Sequence, residues 1–131
     1  MQQRVINPWK WQDQYGFVQA TEVQGAQRLL FISGQTATDA AGGPVHTGDM
    51  GGQVRQALDN LETVLKQSGF EPQTVVRITV FTTDVDQLFP HWSLIVERLA
   101  GAGARFSSTL VGVTRLAYPE LMVEIEATAV K

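Results

Sequence analysis

Residues 75–83 read VVRITVFTT, a stretch dense in β-branched and aromatic side chains, with apolar residues on both faces of an extended chain. Such a stretch is typical of a strand in the middle of a sheet. Asp84 follows it directly and is a candidate N-cap for a helix that ends near Gly101 and Gly103. Pro90 is compatible with this helix only in its first turn.

Another helix is predicted before this strand. Apolar residues recur at helical spacing between Asp49 and Gly69, and charged residues occupy the opposite face. Asp49 is a candidate N-cap and Gly69 a candidate C-terminal stop, so we expect the helix over residues 50–68. The preceding segment, 35–48, is rich in Thr, Asp, Ala and Gly, which predicts an exposed loop.

The remaining strands are predicted near the two ends of the chain. Residues 17–23 and 28–34 indicate a hairpin, and residues 106–113 and 121–130 indicate an antiparallel pair joined by a turn. The predicted order is ββαβαββ, which favours an α/β (α+β) fold with two helices on one face of a mixed sheet. Because the other sheet face is also expected to be apolar, self-association is the simplest way to cover it.

Composition restricts the classes of function. The 131 residues have a net charge of −3 and include no cysteine, which predicts one globular domain over residues 1–131 and excludes disulfides and thiolate chemistry. No apolar run approaches the ~20 residues of a membrane span, so we expect a cytoplasmic location and no membrane partner. No cluster of Lys or Arg is present, so nucleic acid is not an expected partner.

Few side chains are candidates for catalysis. Alternation along the last strand places Glu124 and Glu126 on one face, where crowding raises the pKa of at least one carboxyl. Such a pair suits acid–base chemistry, although a solvated polar edge explains the same pattern. Ser33 lacks the G-x-S-x-G context of a hydrolase nucleophile. The spacing of His46 and His91 indicates no metal site, and no phosphate-binding glycine motif occurs, so no cofactor is expected.

An aromatic cluster lies near the N-terminus. Trp9, Trp11 and Tyr15 occur within one short segment. Such a cluster either lines a pocket or packs over the core. Packing over the core is the favoured interpretation.

Several short motifs together resemble the RidA/YjgF family. They are 16–20 (GFVQA), 31–35 (FISGQ), 56–61 (QALDNL), Gly69 and 123–127 (VEIEA). None is specific alone, but their order and spacing extend over nearly the whole chain. The resemblance implies a chorismate-mutase-like fold and a homotrimer whose sheets pack into a central barrel. It also implies that small ligands bind in clefts between neighbouring subunits.

Members of the deaminase branch of this family hydrolyse reactive enamines and imines to 2-oxo acids and ammonia, and an arginine grips the substrate carboxylate. The resemblance places the position of that arginine on Ser108. Arg105 and Arg115 are offset from it by odd numbers of residues, which predicts the opposite strand face unless a bulge intervenes. The cleft tyrosine of the family corresponds to Phe17, and an asparagine of the second helix corresponds to Trp92.

The resemblance therefore implies a set of ligand-binding residues. They are Phe17, Ser33, Gly34, Trp92, Arg105, Ser108 and Thr109. In the enzyme hypothesis, Glu124 orients a water that attacks a C=N carbon. The alternative is a non-catalytic trimer that binds a metabolite or another protein. The endoribonuclease activity ascribed to some relatives is disfavoured, because the chain is acidic and has no basic patch.

Overall fold

The computed structural model describes residues 1–131 as six strands, three α-helices and short 3₁₀ turns. The strands are β1 Gln2–Ile6, β2 Ala20–Gln24, β3 Leu29–Thr36, β4 Val75–Thr82, β5 Ser107–Gly112 and β6 Val123–Val130. The helices are α1 Met50–Gln67, α2 Val85–Leu88 and α3 Trp92–Leu99. The 3₁₀ turns are Trp11–Tyr15, Pro72–Thr74, Phe89–His91 and Ala100–Ala102.

The main sheet has β4 in its interior, as predicted. Its strand order is β3, β6, β4, β5, and β4 is antiparallel to β6 and parallel to β5. The predicted antiparallel pairing of 106–113 with 121–130 is therefore wrong, since these strands flank β4 on opposite sides. The segment between Gly112 and Val123 is long enough to carry the chain past the end of β4, so no tight turn forces the two strands together.

A separate two-stranded sheet forms at the N-terminus. β2 pairs antiparallel with β1, so the predicted hairpin of 17–23 with 28–34 is wrong. The sequence of β1, QQRVI, is too polar to show the alternation by which strands are recognised, and its pairing rests mainly on backbone hydrogen bonds. A parallel bridge between Val18 and Ser107 places this sheet beside β5.

The predicted bounds are accurate for the first helix but not for the second. Helix α1 is confirmed to within a residue of its predicted end, with the Asp49 side chain accepting a hydrogen bond from Gly52 N–H at 3.0 Å. The predicted second helix is interrupted. Asp84 caps α2 as expected, but Pro90 lies beyond the first turn from that cap and has no N–H to donate. The chain therefore forms a 3₁₀ turn there before α3 begins.

One apolar core lies between the helices and the main sheet, so the predicted α/β fold class is confirmed. Alternate residues of β4 and β6 point into it, such as Ile78, Val80 and Ile125.

We call the opposite side of the sheet the open face. Its residues include Phe31, Arg77, Thr79, Phe81, Thr109, Glu124, Glu126 and Thr128. This face is mixed in polarity, not broadly apolar as expected. None of the three helices combines the length and the apolar character that a membrane span requires.

Candidate functional site

An open pocket of about 270 Å³ lies between the turn Trp11–Tyr15, the start of α3 and β5. Its seven lining residues are Trp11, Tyr15, Phe17, Phe89, Trp92, Ser108 and Leu110, of which six are hydrophobic. We call it the aromatic pocket. None of the side chains that line it carries a charge, so any ligand is met mainly by rings and by the Ser108 and Tyr15 hydroxyls.

The turn that carries Trp11 and Tyr15 is fastened to α3. The indole N–H of Trp92 donates to the Tyr15 carbonyl at 2.8 Å. Gly16 ends the turn in the left-handed region, with φ +77°, and a Cβ there would overlap the Val96 side chain. Only glycine adopts this φ without strain and also leaves room for the Val96 side chain. Gly16 therefore allows the chain to approach α3 closely at this point.

The aromatic residues near the N-terminus do not pack over the core as expected. Trp11 is 55% exposed and Tyr15 39% exposed, and both line the aromatic pocket. Trp9 is 59% exposed and does not line it. Because the contacts to α3 are made by the backbone of the turn, its rings remain outside the core. The Trp11 and Phe17 rings meet edge to face, with their centroids 5.9 Å apart.

The structure brings three of the predicted ligand-binding residues together in the aromatic pocket: Phe17, Trp92 and Ser108. Ser108 is opposite Ile78, a core residue of β4, and therefore faces the helix side of the sheet. Thr109 faces the open side, where its hydroxyl accepts a hydrogen bond from Arg77. Thr109 is thus separated from the pocket to which the resemblance assigned it.

A second group of predicted residues surrounds Glu124. The ladder between β3 and β6 shifts register between Ile32 and Gln35, which leaves Ser33 and Gly34 in a bulge. The Glu124 carboxylate lies against the backbone of Gly34, where a Cβ would overlap it. We call Ser33, Gly34 and Glu124 the carboxylate cluster. The absence of a side chain at Gly34 is what allows the carboxylate to lie this close to the backbone of β3.

The environment of Glu124 favours its protonated form. Burial is the larger cause and the neighbouring Glu126 the smaller cause of a pKa above the ordinary value of 4.5. The prediction that these two carboxylates share a face and that one pKa is raised is therefore confirmed. A carboxyl that keeps its proton more readily than usual can donate it to a reacting nitrogen and then act as a base.

The aromatic pocket and the carboxylate cluster lie on opposite sides and towards opposite edges of one chain. Ser108 belongs to the edge strand β5 and faces the helices. Glu124 faces the open side, beside the other edge strand, β3. A single copy therefore does not bring these residues to one small ligand.

The nearby arginines do not line the aromatic pocket. Arg105 lines a neighbouring pocket of about 440 Å³ with Asn7, Asp13 and others, and only Phe17 is shared. Arg105 precedes the first residue of β5, so the parity argument does not apply to it. Arg115 lies in the loop after β5 and donates to the carbonyls of Leu116 and Ala117. The position of the family arginine has no substitute within this pocket.

Some lining residues were missed by sequence reasoning. The sequence favours packing over the core for Trp11 and Tyr15, and the sequence analysis gives Phe89 and Leu110 no role in a pocket. The spacing of Phe89 and Trp92 is a usable signal, because residues three apart lie on one side of a helical turn. No three His, Cys, Asp or Glu side chains are close enough together to hold a metal ion.

Comparison with known proteins identifies the family. The family model described as endoribonuclease L-PSP matches residues 12–131. The chain therefore belongs to that family, which is the RidA/YjgF family that its motifs resemble. A Rid family protein of unknown function from Yersinia pestis is 36% identical, and its crystal structure aligns over 100% of both chains with a TM-score of 0.89.

Two curated relatives differ in coverage. A RutC family protein from Pyrococcus horikoshii is 31% identical over 106 residues, which are 81% of this chain and 82% of that protein. A 2-iminobutanoate/2-iminopropanoate deaminase from Bos taurus is 36% identical over 59 residues, which are 45% of this chain and 43% of that protein.

Proposed function

We propose that this protein binds a small imine or enamine in a cleft between two copies of the chain and hydrolyses it, with Glu124 as the acid–base group. The observation that carries the proposal is the environment of Glu124. Its carboxyl is partly buried, lies against the bare backbone of Gly34, and has a raised pKa. A solvated edge carboxylate, the alternative interpretation of the sequence pattern, has no reason to show these features.

The chemistry requires one proton donor and one water. The protonated Glu124 gives its proton to the imine nitrogen, and the resulting carboxylate takes a proton from the water that attacks the carbon. Glu124 then donates its proton to the amine nitrogen of the carbinolamine, the C–N bond breaks as ammonia leaves, and the hydroxyl gives its proton back to Glu124 as the carbon becomes a carbonyl. The protein supplies no redox equivalent, and the atoms of imine plus water equal those of carbonyl product plus ammonia. The deaminase from Bos taurus that matches part of the chain supports this class of substrate.

The cleft is proposed to form head to tail. The carboxylate cluster lies beside the edge strand β3, whereas the aromatic pocket lies beside the edge strand β5. In a ring, the β3 edge of one copy meets the β5 edge of the next, and the sheets of neighbouring copies are proposed to be inclined to each other so that the two groups face one cleft. Such head-to-tail contacts form a closed ring when the rotation between copies closes. The family resemblance implies that three copies complete the ring.

A non-catalytic binding protein is the second candidate, favoured by the absence of a cation from the aromatic pocket. Replacing a carboxylate-binding arginine by a hydroxyl removes a pair worth about 1.5–3 kcal/mol. Arg77 shares the open face with Glu124, but it lies four residues along β4 from Phe81, the partner of Glu124. That separation is roughly 13 Å, too far for both side chains to hold one small imino acid.

The test is a coupled assay in which an amino acid oxidase generates the imine and release of the 2-oxo acid is followed over time. The wild-type protein is expected to accelerate release. Glu124→Gln is expected to abolish the acceleration, whereas the matched control Glu126→Gln, at an exposed position on the same face, keeps it. Equal rates with and without protein contradict the proposal, and saturable imine binding without release supports the binding candidate.

Ser108→Arg provides a further arm of this assay. The arginine would restore a cation to the aromatic pocket at the position that the family uses for a carboxylate. A gain in kcat/KM for a small imino acid in this variant is expected if the wild-type chain leaves that carboxylate unpaired. An unchanged or lower kcat/KM means that the wild-type cleft already holds the carboxylate elsewhere.

A further inference from the structure

We infer that the aromatic pocket is a binding site for a planar, uncharged aromatic group. The assignment of that group as the side chain of the substrate rests on the proposed function. The binding itself does not, because a ring can occupy the pocket whether or not anything is hydrolysed.

The size of the pocket suits one or two fused rings. A cavity of roughly 150 Å³ lined by apolar side chains accepts benzene. The aromatic pocket offers about 270 Å³ and is open at one side, so a ring can enter without displacing a core residue. The edge-to-face contact between Trp11 and Phe17 leaves faces and edges of several rings available for further aromatic contacts.

The aromatic residues that line the pocket are open to an occupant in a single copy. Trp11 is 55% and Phe89 52% exposed, although both are large aromatic residues and both border the same concavity. Scattered exposed apolar residues are ordinary, but aromatic residues that converge on one concave site are typical of ligand-binding pockets. Burying these rings against a ligand removes apolar surface from water and stabilises the complex.

The polarity of the pocket selects against charge. No charged side chain lines it, so an anionic group would lose its hydration without gaining an ionic partner. The Ser108 hydroxyl can donate or accept one hydrogen bond, which suits a ring N–H or phenolic O–H. The substrate class for the proposed function is therefore an imine or enamine that carries an aromatic side chain, with its reactive end at Glu124 of the neighbouring copy.

The experiment uses 5-fluoroindole as the probe and follows its ¹⁹F resonance as purified full-length protein is titrated. Saturable binding is expected, and 4-fluorobenzoate is expected to bind more weakly because of its charge. Trp11→Ala is expected to weaken 5-fluoroindole binding roughly tenfold, since it removes one aromatic contact. Trp9→Ala is the matched control, because Trp9 is 59% exposed against 55% for Trp11, lies two residues away and does not line the pocket.

A second variant guards against loss of folding in Trp11→Ala. Ser108→Leu fills part of the pocket without removing a packed ring, and it too is expected to weaken 5-fluoroindole binding. The inference is overturned if the wild-type protein does not bind 5-fluoroindole, if Trp9→Ala and Trp11→Ala weaken binding equally, or if 4-fluorobenzoate binds as tightly.

Failure of the proposed function gives a different pattern. Glu124→Gln is expected to bind 5-fluoroindole like the wild type, because Glu124 does not line the pocket. A wild-type protein that binds the probe but does not accelerate release of any 2-oxo acid contradicts the proposed function alone. Turnover of an aliphatic imine without any binding of 5-fluoroindole contradicts the present inference alone.

Discussion

Glu124 is the most informative residue, because the sequence predicts the face it shares with Glu126 and its raised pKa but does not predict its contact with Gly34. Strand alternation is enough to place Glu124 and Glu126 on one face and to predict a raised pKa. The bulge that brings Gly34 against the carboxylate depends on how β3 and β6 register, and no local pattern in either strand reveals it. The sequence therefore reveals the acid, whereas its close contact with Gly34 is visible only in the fold.

The influence of Glu126 on Glu124 can be measured through the pH profile. Glu126→Gln removes the smaller cause of the raised pKa and leaves burial, the larger cause. We expect the Glu124 pKa to decrease but to stay above its ordinary value, and the limb of the kcat/KM profile that reports the Glu124 proton to move to lower pH. A ¹³C carboxyl titration of both proteins checks the direction. A pKa that rises in the variant contradicts the assignment.

The raised pKa also has a consequence for stability. Because the folded state binds this proton more tightly than the unfolded state, protonated Glu124 contributes stability below pH 4.5, its ordinary pKa. That contribution is lost as the pH rises through the higher folded pKa. We expect Glu124→Gln to be at least as stable as the wild type at neutral pH, with its advantage disappearing in acid. Urea unfolding at several pH values measures this, and the opposite trend contradicts it.

Gly34→Ala tests the close contact between the Glu124 carboxyl and the backbone of β3. The new Cβ would overlap the end of the Glu124 side chain, which is flexible enough to move away. We therefore expect a stability change within about 1 kcal/mol but a loss of activity on the order of 100-fold, since small displacements of a reacting group are costly. Thermal unfolding and the oxidase-coupled assay separate the two effects. Full activity in Gly34→Ala would show that the position of the carboxylate is unimportant.

At the scale of elements, the segments with strong local signals are those that sequence reasoning places best. Asp49 and the glycine after α1 define that helix almost to the residue. The segment from Asp84 to Leu99 carries an apolar stripe, but Pro90 breaks it, and the resulting turn places Phe89 beside the aromatic pocket. The strand β1 was missed because its polar sequence is stabilised by pairing with β2 and by little apolar burial.

The docking of the aromatic turn on α3 predicts a difference between two glycine substitutions. Gly16→Ala and Gly42→Ala each place a Cβ at positive φ, which costs about 1–2 kcal/mol. Only at Gly16 does the Cβ also overlap Val96, since nothing lies within 4 Å at Gly42. We expect Gly16→Ala to be the more destabilising by about 1–3 kcal/mol in chemical denaturation and to weaken 5-fluoroindole binding. Equal effects on stability contradict the close approach.

At the scale of the whole molecule, the fold could be anticipated from short motifs, whereas the site could not be assembled from one chain. The resemblance grouped Ser33, Ser108, Thr109 and Glu124 around a single ligand. The structure separates them, because Ser108 faces the helices while Thr109 and Glu124 face the open side. Residues that the family resemblance assigns to one cleft can thus lie far apart within a single copy of the chain. The alternation of side chains along one strand does not show which surfaces of neighbouring copies come together.

The central claim, that each cleft combines Glu124 of one copy with the aromatic pocket of the next, is tested most directly by subunit complementation. Glu124→Gln and Ser108→Leu are each expected to lose turnover of an imine that carries an aromatic side chain. The two variants are unfolded, mixed in equal amounts and refolded together. In the mixture, half of the copies retain Glu124 and the other half retain Ser108. A cleft is complete only when a copy that retains Glu124 meets a copy that retains Ser108 in the correct order, so about one quarter of the clefts in a closed ring are complete.

If the cleft is shared between copies, this mixture regains about one quarter of the wild-type activity, whereas each variant refolded alone stays inactive. As a control, an affinity-tagged Glu124→Gln protein is refolded with untagged Ser108→Leu protein, and native mass spectrometry of the product shows whether mixed oligomers form, independently of activity. If subunits exchange in that control but the mixture of single variants stays as inactive as its components, both parts of the site belong to the same copy and the account is wrong.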